Sequence, residues 1–168
     1  MPAMSTWFST YGYGEVHPGL VVGAYPLDGA DVDHLGRMRV ERVLNLVEDS
    51  EYQPGDREAI EAAYASLGID ETRMNLVDFG HLPADRLEQA VSTLVGWLED
   101  GRRVYVHCRA GWQRSAAVAS GAVAIVRRIS IEQALDTVRQ QKPTADPLPH
   151  QRADLHAWWE SRVAAADD

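Results

Sequence analysis

Short apolar runs alternate with longer amphipathic stretches along the chain. The runs are rich in Val, Leu and Tyr and predict strands over residues 20–23, 42–47, 72–76 and 104–106. The stretches between them place apolar residues at helical spacing and predict helices over about 29–38, 56–67 and 83–100. Strands that alternate with helices indicate an α/β fold, a three-layer sandwich around a mostly parallel sheet of about four to five strands.

The remainder of the chain completes this picture. Small apolar residues over 115–129 predict a helix that packs close to the sheet, Ser130 precedes a helix to about 141, and a final helix ends near 165. Residues 5–18 are aromatic and turn-rich; we interpret them as cover for part of the core, with lining of a substrate cleft as the alternative. No repeat or long linker divides the chain, so we expect one domain over 1–168, with the aromatic segment 1–18 packed on it.

Composition narrows the classes of function. A net charge of −9 argues against general nucleic-acid binding, and no apolar run approaches the length of a membrane span. The N-terminal residues lack the features of a signal peptide, and the single cysteine excludes an internal disulfide and suits a reducing compartment, so we expect a cytoplasmic protein. No His, Cys and carboxylate cluster has metal-ligand spacing. The oligomeric state stays open, with a monomer favoured.

The only cysteine lies where the fourth predicted strand meets the small-residue helix. Cys108 ends the apolar run, Gly111 allows the intervening loop a positive φ, and Arg114 stands at the start of the helix. A helix N-terminus and a nearby cation stabilise a thiolate and attract an anion. The pattern indicates a nucleophile beneath a tetrahedral oxyanion, and the alternative is a buried structural cysteine with a surface arginine.

The string His107-Cys108-x-x-Gly111-x-x-Arg114-Ser115 resembles the signature of the cysteine-dependent protein tyrosine phosphatases, and the short chain is most similar to their dual-specificity branch. The resemblance implies a phosphatase-like fold, a phosphocysteine intermediate and no cofactor. It implies that Cys108 is the nucleophile and that Ser115 hydrogen-bonds the thiolate; otherwise Ser115 is an ordinary first-turn serine. It also implies that His107 fixes the loop and tunes the cysteine, where a lone histidine is otherwise a core residue. The loop and its arginine would bind the substrate through Arg109, Ala110, Gly111, Trp112, Gln113 and Arg114.

Members of this branch carry a general acid on a loop about 30 residues before the cysteine. Asp78 lies 30 positions before Cys108 and directly after a predicted strand, so it is our candidate, with a turn aspartate as the alternative. Asp85 is the second candidate, although a first-turn helix position also explains it. Asp70 precedes the strand and is expected at the wrong end of the sheet.

The expected partner is a phosphorylated protein or a small phosphate ester. Phosphotyrosine and phosphoserine/threonine proteins are the default for the branch, and a phosphoinositide or other small phosphate ester is the alternative. Trp112 and Gln113 stand where a lysine is common in relatives with highly charged substrates, which disfavours polyphosphorylated inositols. Trp112 either forms an aromatic wall or packs under the loop, and Arg109 either adds positive potential or is solvated. A rhodanese-type sulfurtransferase and a non-catalytic phosphate-binding module are the rival classes.

Overall fold

The structure is a computed structural model that describes residues 3–167; residues 1, 2 and 168 of the domain predicted over 1–168 lie outside this range. Five strands form one sheet in the order β1-β2-β5-β3-β4. They are β1 (Tyr13–His17), β2 (Leu20–Gly23), β3 (Arg42–Asn45), β4 (Asp70–Arg73) and β5 (Val104–His107). The helices are α1 (Thr6–Tyr11), α2 (Gly29–Arg37), α3 (Asp56–Leu67), α4 (Ala84–Glu99), α5 (Arg114–Arg127), α6 (Ile131–Gln141) and α7 (Pro149–Ala166).

Alternating side chains of the strands divide the interior into two cores. Val104 and Val106 of β5 pack in a core with residues of α4, α5, α6 and α7, whereas Tyr105 packs on the opposite face with residues of α1, α2 and α3. Successive side chains of a strand point to opposite faces, so a strand that is buried throughout serves both cores. The result is the predicted three-layer sandwich, with the helices on both faces of the sheet.

Four of the five strands are parallel, and their carboxyl ends lie at one edge of the sheet. His107 at the end of β5 is level with Gly23 of β2 and with Asn45 of β3, and Asn45 is level with Arg73 of β4. β1 is antiparallel to β2. Segments that follow β2, β3, β4 and β5 therefore meet at this edge, as ligand-binding loops do in open α/β sheets.

Two parts of the predicted pattern differ from the structure. Residues 5–18, which predict no regular element, contain α1 and β1; Ser5 caps α1 by accepting a hydrogen bond from the Phe8 amide. The strand expected over 72–76 is β4, which begins at Asp70 and ends at Arg73. β4 is an edge strand whose four residues are polar, with Asp70 exposed and the other three partly buried, so its apolar signal is weak. Within residues 3–167, no helix is both long enough and apolar enough to cross a bilayer.

Candidate active site

A six-residue loop, residues 108–113, connects β5 to α5 and is called here the cysteine loop. Gly111 has φ of +75°, as the sequence predicts, and a Cβ at this position would lie 2.5 Å from the carbonyl carbon of Gly23. The turn therefore needs glycine both for its backbone angle and for its close approach to β2. No side chain caps the N-terminus of α5, so its first N–H groups face the loop without a side-chain acceptor.

The Cys108 thiol lies at the bottom of this loop and is 3% exposed. Its Sγ is 3.2 Å from the Ser115 hydroxyl. Burial opposes ionisation of the thiol, but the charge of Arg114, the Ser115 hydroxyl and the backbone N–H groups of Ser115 and Gln113 outweigh it, so the pKa of Cys108 is lowered. The site thus favours a thiolate at the position that the sequence assigns to the nucleophile.

Arg114 is almost completely buried and is held by Glu51, a residue that the sequence analysis did not select. Two parallel hydrogen bonds of 2.8 Å join its Nη1 and Nη2 to the Glu51 carboxylate, and Nη1 also donates to the Leu76 carbonyl at 3.0 Å. Burial of Glu51 is outweighed by these bonds, which lower its pKa. The third guanidinium nitrogen, Nε, is buried and has no partner among the described residues. The guanidinium is therefore fixed by Nη1 and Nη2, and its Nε–H group is left for a ligand.

Asp78 brings a carboxylate to the cavity that contains Cys108 and Arg114. Its Oδ1 lies 3.1 Å from Arg114 Nη2, and its side chain lines the cavity that contains Cys108. Asp85 lies in the first turn of α4 and does not line this cavity. Asp70, at the start of β4, pairs with Arg42 at 3.0 Å. Of the three aspartates weighed from the sequence, the structure brings only Asp78 to the cysteine.

His107 is buried directly before the nucleophile candidate. Its Nδ1 is 3.0 Å from the Cys108 carbonyl oxygen, which places a proton on Nδ1 when this hydrogen bond forms. Burial lowers the pKa of His107 to about 4, so the ring is neutral at pH 7. A neutral ring that donates to the Cys108 carbonyl fixes the first peptide of the cysteine loop.

Aromatic side chains surround the mouth of the cavity, whose volume is about 340 Å³. Trp7 and Tyr11 of α1 lie on one side with ring centroids 4.3 Å apart, and Tyr11 is 5.5 Å from the Trp112 ring. Trp112 is 40% exposed and lines the cavity, so it forms an aromatic wall and does not pack under the cysteine loop. The Arg109 guanidinium is 5.9 Å from the centre of the Trp7 ring. The cavity is also lined by Asp78, Phe79, Ala110 and Gln113.

Sequence reasoning missed or left open four residues of the site: Glu51, which binds Arg114, and Trp7, Tyr11 and Phe79, which line the cavity. Glu51 follows β3, the neighbour of β5, in an acidic 3₁₀ turn over Asp49–Glu51. The rule that carboxyl ends of parallel strands meet at one edge was therefore the signal for it. No comparable pattern in the sequence predicts that α1 lies beside the cavity, because the position of α1 depends on tertiary packing. Within residues 3–167, no group of three or more His, Cys, Asp or Glu is arranged to hold a metal ion.

Comparisons with known proteins agree with this geometry. The family model described as "Dual specificity phosphatase, catalytic domain" matches residues 27–161. The chain therefore belongs to the dual-specificity phosphatase family, with the cysteine-dependent tyrosine phosphatase fold. The predicted family and fold class are confirmed.

Among curated relatives, phosphatidylglycerophosphatase and protein-tyrosine phosphatase 1 of Homo sapiens is 28% identical over 127 residues, which are 75% of this chain and 62% of the relative. Dual specificity protein phosphatase 15 of Mus musculus is 25% identical over 145 residues, 86% of this chain and 56% of the relative. The chain thus spans little more than half of their length. The crystal structure of PTPMT1 superposes with a TM-score of 0.79 at 22% identity and covers 93% of this chain and 99% of that chain, which shows the shared fold.

Proposed function

We propose that this protein hydrolyses phosphate monoesters with Cys108 as the nucleophile. The observation that carries the proposal is convergence: a thiol of lowered pKa, a fixed buried arginine and an aspartate meet in one cavity at the carboxyl edge of the sheet. A phosphate dianion matches this set, since the loop amides and Arg114 offer donors around a tetrahedral anion.

In the first step, the Cys108 thiolate attacks phosphorus opposite the ester oxygen. The S–P bond forms while the P–O bond breaks, and the ester oxygen takes the electron pair and a proton from the Asp78 carboxyl group. Arg114 and the N–H groups of the cysteine loop hold the three other phosphate oxygens, where negative charge is greatest in the transition state. The product is a phosphocysteine and a free alcohol or phenol.

In the second step, water attacks the phosphocysteine. The Asp78 carboxylate accepts a proton from the water, a new P–O bond forms, and the S–P bond breaks with the electron pair on sulfur. The Ser115 hydroxyl, 3.2 Å from Sγ, donates a hydrogen bond to the departing thiolate. Inorganic phosphate leaves, and the site returns to its starting protonation state.

The aromatic mouth supports phosphotyrosine in proteins as the preferred substrate. An aryl phosphate that reaches Cys108 must pass its ring between Trp7, Tyr11 and Trp112, whose faces offer stacking contacts. A phosphoserine or phosphothreonine side chain is aliphatic and has no aromatic ring to place there. The rim thus favours phosphotyrosine within the broader class of phosphotyrosine and phosphoserine/threonine proteins.

A phosphoinositide or another small phosphate ester is the second candidate. One neighbour of this fold, at a TM-score of 0.78 and 23% identity, is PTPMT1 in complex with PI(5)P. Val77 and Phe79 are 56% and 63% exposed and adjoin Asp78, so apolar surface is available near the cavity. The net charge of −9 opposes association with an anionic bilayer, which favours the protein substrate.

The test is a phosphatase panel with phosphotyrosine peptides, phosphoserine peptides, phosphoinositides in vesicles and inositol phosphates. Wild type should release phosphate fastest from phosphotyrosine peptides, and Cys108→Ser should release none above the blank from any substrate. Faster release from phosphoinositide vesicles would replace the protein substrate by the lipid. Tight binding of phosphopeptides without turnover by wild type would favour the non-catalytic module.

A cytoplasmic location and a monomeric state belong to this proposal. The single cysteine supports the first, because a catalytic thiolate at the floor of an open cavity needs reducing surroundings to stay active. Cell fractionation and light scattering of the purified protein test the two statements.

A further inference from the structure

The loop that carries Asp78, residues 77–82, is attached to the start of α7 and is called here the Asp78 loop. His150 Nε2 is 2.8 Å from the Phe79 carbonyl oxygen, and Gln151 Nε2 donates to the Gly80 carbonyl at 3.1 Å. Asp154 Oδ2 accepts from the Leu82 amide at 2.8 Å and pairs with His81 Nδ1 at 2.9 Å. Four consecutive residues after Asp78 are thus bound by three side chains of α7.

The loop has a conformation that needs such support. Phe79 has φ of +59°, in the left-handed region that aromatic residues rarely adopt because it strains the backbone. Its side chain is 63% exposed, so burial of the ring offers little compensation. The Gly80 amide closes the turn on the Val77 carbonyl at 3.0 Å. Hydrogen bonds from α7 to the Phe79 and Gly80 carbonyls are contacts that offset this strain.

The other end of the loop is fixed by the catalytic arginine. Arg114 Nη1 donates to the Leu76 carbonyl at 3.0 Å, two residues before Asp78. Asp78 is therefore suspended between Arg114 on one side and α7 on the other. Removing the α7 contacts leaves the upstream attachment in place but frees the peptide groups that follow the aspartate.

We propose that His150 and Asp154 of α7 are positioning residues that place Asp78 for proton transfer to the leaving oxygen. This inference rests on the proposed function, since it assigns Asp78 as the general acid. Neither residue touches the phosphate; each acts through the backbone of the Asp78 loop. Gln151 is fully buried and also accepts from the Leu148 amide at 3.0 Å, so its substitution would disturb α7 itself and is not the test.

The experiment compares turnover of aryl phosphates whose phenols differ in acidity. Proton donation matters most when the leaving phenol is weakly acidic, so His150→Ala and Asp154→Ala should each lower kcat/KM for phenyl phosphate by about 10-fold, part of the 10²–10⁴ that a general acid supplies. With a strongly acidic nitrophenol as leaving group, kcat/KM, which reports only the steps up to release of the phenol, should change less than twofold, and inhibition by inorganic phosphate should be unchanged. His150→Gln keeps an Nε2 donor and should restore most of the lost rate. His156→Ala, on the same helix but paired with Glu132, is the matched control.

A double substitution makes the test sharper. In an Asp78→Asn background, His150→Ala should have no further effect on kcat, because the positioned group is already absent. Equal slowing with every leaving group, an undiminished rate, or full additivity with Asp78→Asn would overturn the inference. If wild type hydrolyses no aryl phosphate, or if Cys108→Ser retains turnover, the proposed function fails instead.

Discussion

The floor and the rim of the cavity differ in burial and in the polarity of their side chains. The floor consists of Cys108, Arg114 and Ser115, which are 3%, 1% and 0% exposed and are held by polar partners. The rim consists of Trp7, Tyr11, Phe79 and Trp112, of which Phe79 and Trp112 are 63% and 40% exposed. A buried polar set has one arrangement and suits chemistry, whereas exposed aromatic rings make adaptable contacts and suit selection of a substrate. Changes in the floor should therefore affect all substrates, and changes in the rim should affect some.

Apart from loss of the cysteine, the largest effect is expected for Asp78→Asn. Asp78 lies between the floor and the rim of the cavity. The substitution removes the proton donor, so kcat for phenyl phosphate should fall by about 10²–10⁴-fold. The measurement is steady-state phosphate release, with Asp85→Asn as the matched control on the next helix. An unchanged rate for Asp78→Asn would assign the acid elsewhere.

Arg114→Lys tests the floor itself. Lysine keeps the charge but lacks the planar guanidinium that binds Glu51 through Nη1 and Nη2 and leaves Nε for the phosphate of the proposed reaction. We expect kcat/KM to fall by about 10²–10³-fold for phosphotyrosine and phosphoserine peptides alike. Arg42→Lys, at the start of β3 and paired with Asp70 far from the cavity, is the control. A loss confined to one of the two peptides would contradict the division between floor and rim.

His107 makes the stability of the floor depend on pH. Its pKa is about 4 in the folded protein and 6.5 ordinarily, so the unfolded chain binds a proton more readily. His107 does not reduce the free energy of unfolding above pH 6.5, where the ring is neutral in both states. As the pH falls from 6.5 to 4, protonation of the unfolded chain lowers that free energy by about 3 kcal/mol. The free energy of unfolding in urea, measured at several pH values between 7.5 and 4, reports this loss. His107→Gln should flatten the curve over this interval, and an unaltered slope would assign the pH dependence to other groups.

The smallest effect is expected at the rim. Trp7→Ala removes one ring contact, worth about 0.5–1.5 kcal/mol, so kcat/KM for a phosphotyrosine peptide should fall by about 3- to 10-fold. Turnover of the matching phosphoserine peptide should be nearly unchanged, mainly because the shorter side chain does not reach the ring. Tyr13→Ala, an exposed aromatic residue that does not line the cavity, is the control. Equal losses for both peptides would show that α1 supports the floor rather than selecting the substrate.

The same contrast explains how much could be predicted from the sequence. The floor is one contiguous string, so Cys108, Gly111 and Arg114 are recognisable together, and Asp78 follows from its spacing. Glu51 could not be selected with the same certainty, because its contact with Arg114 joins residues 63 positions apart. The same applies to Trp7 and Tyr11, which reach the cavity because α1 packs on the second core through Phe8 and is bound to α2 through Ser5 and Asp31. β4 was misplaced because an edge strand carries little apolar pattern.

The most direct test of the central claim is detection of the phosphocysteine. Wild type is mixed with an aryl phosphate, quenched in acid within one turnover, and digested for mass spectrometry of the peptide that contains Cys108. We expect this peptide to gain one phosphoryl group, Asp78→Asn to slow the gain, and Cys108→Ser to show none. Full turnover by wild type with no phosphoryl group on Cys108 at any quench time, or the same turnover by Cys108→Ser, would contradict the claim.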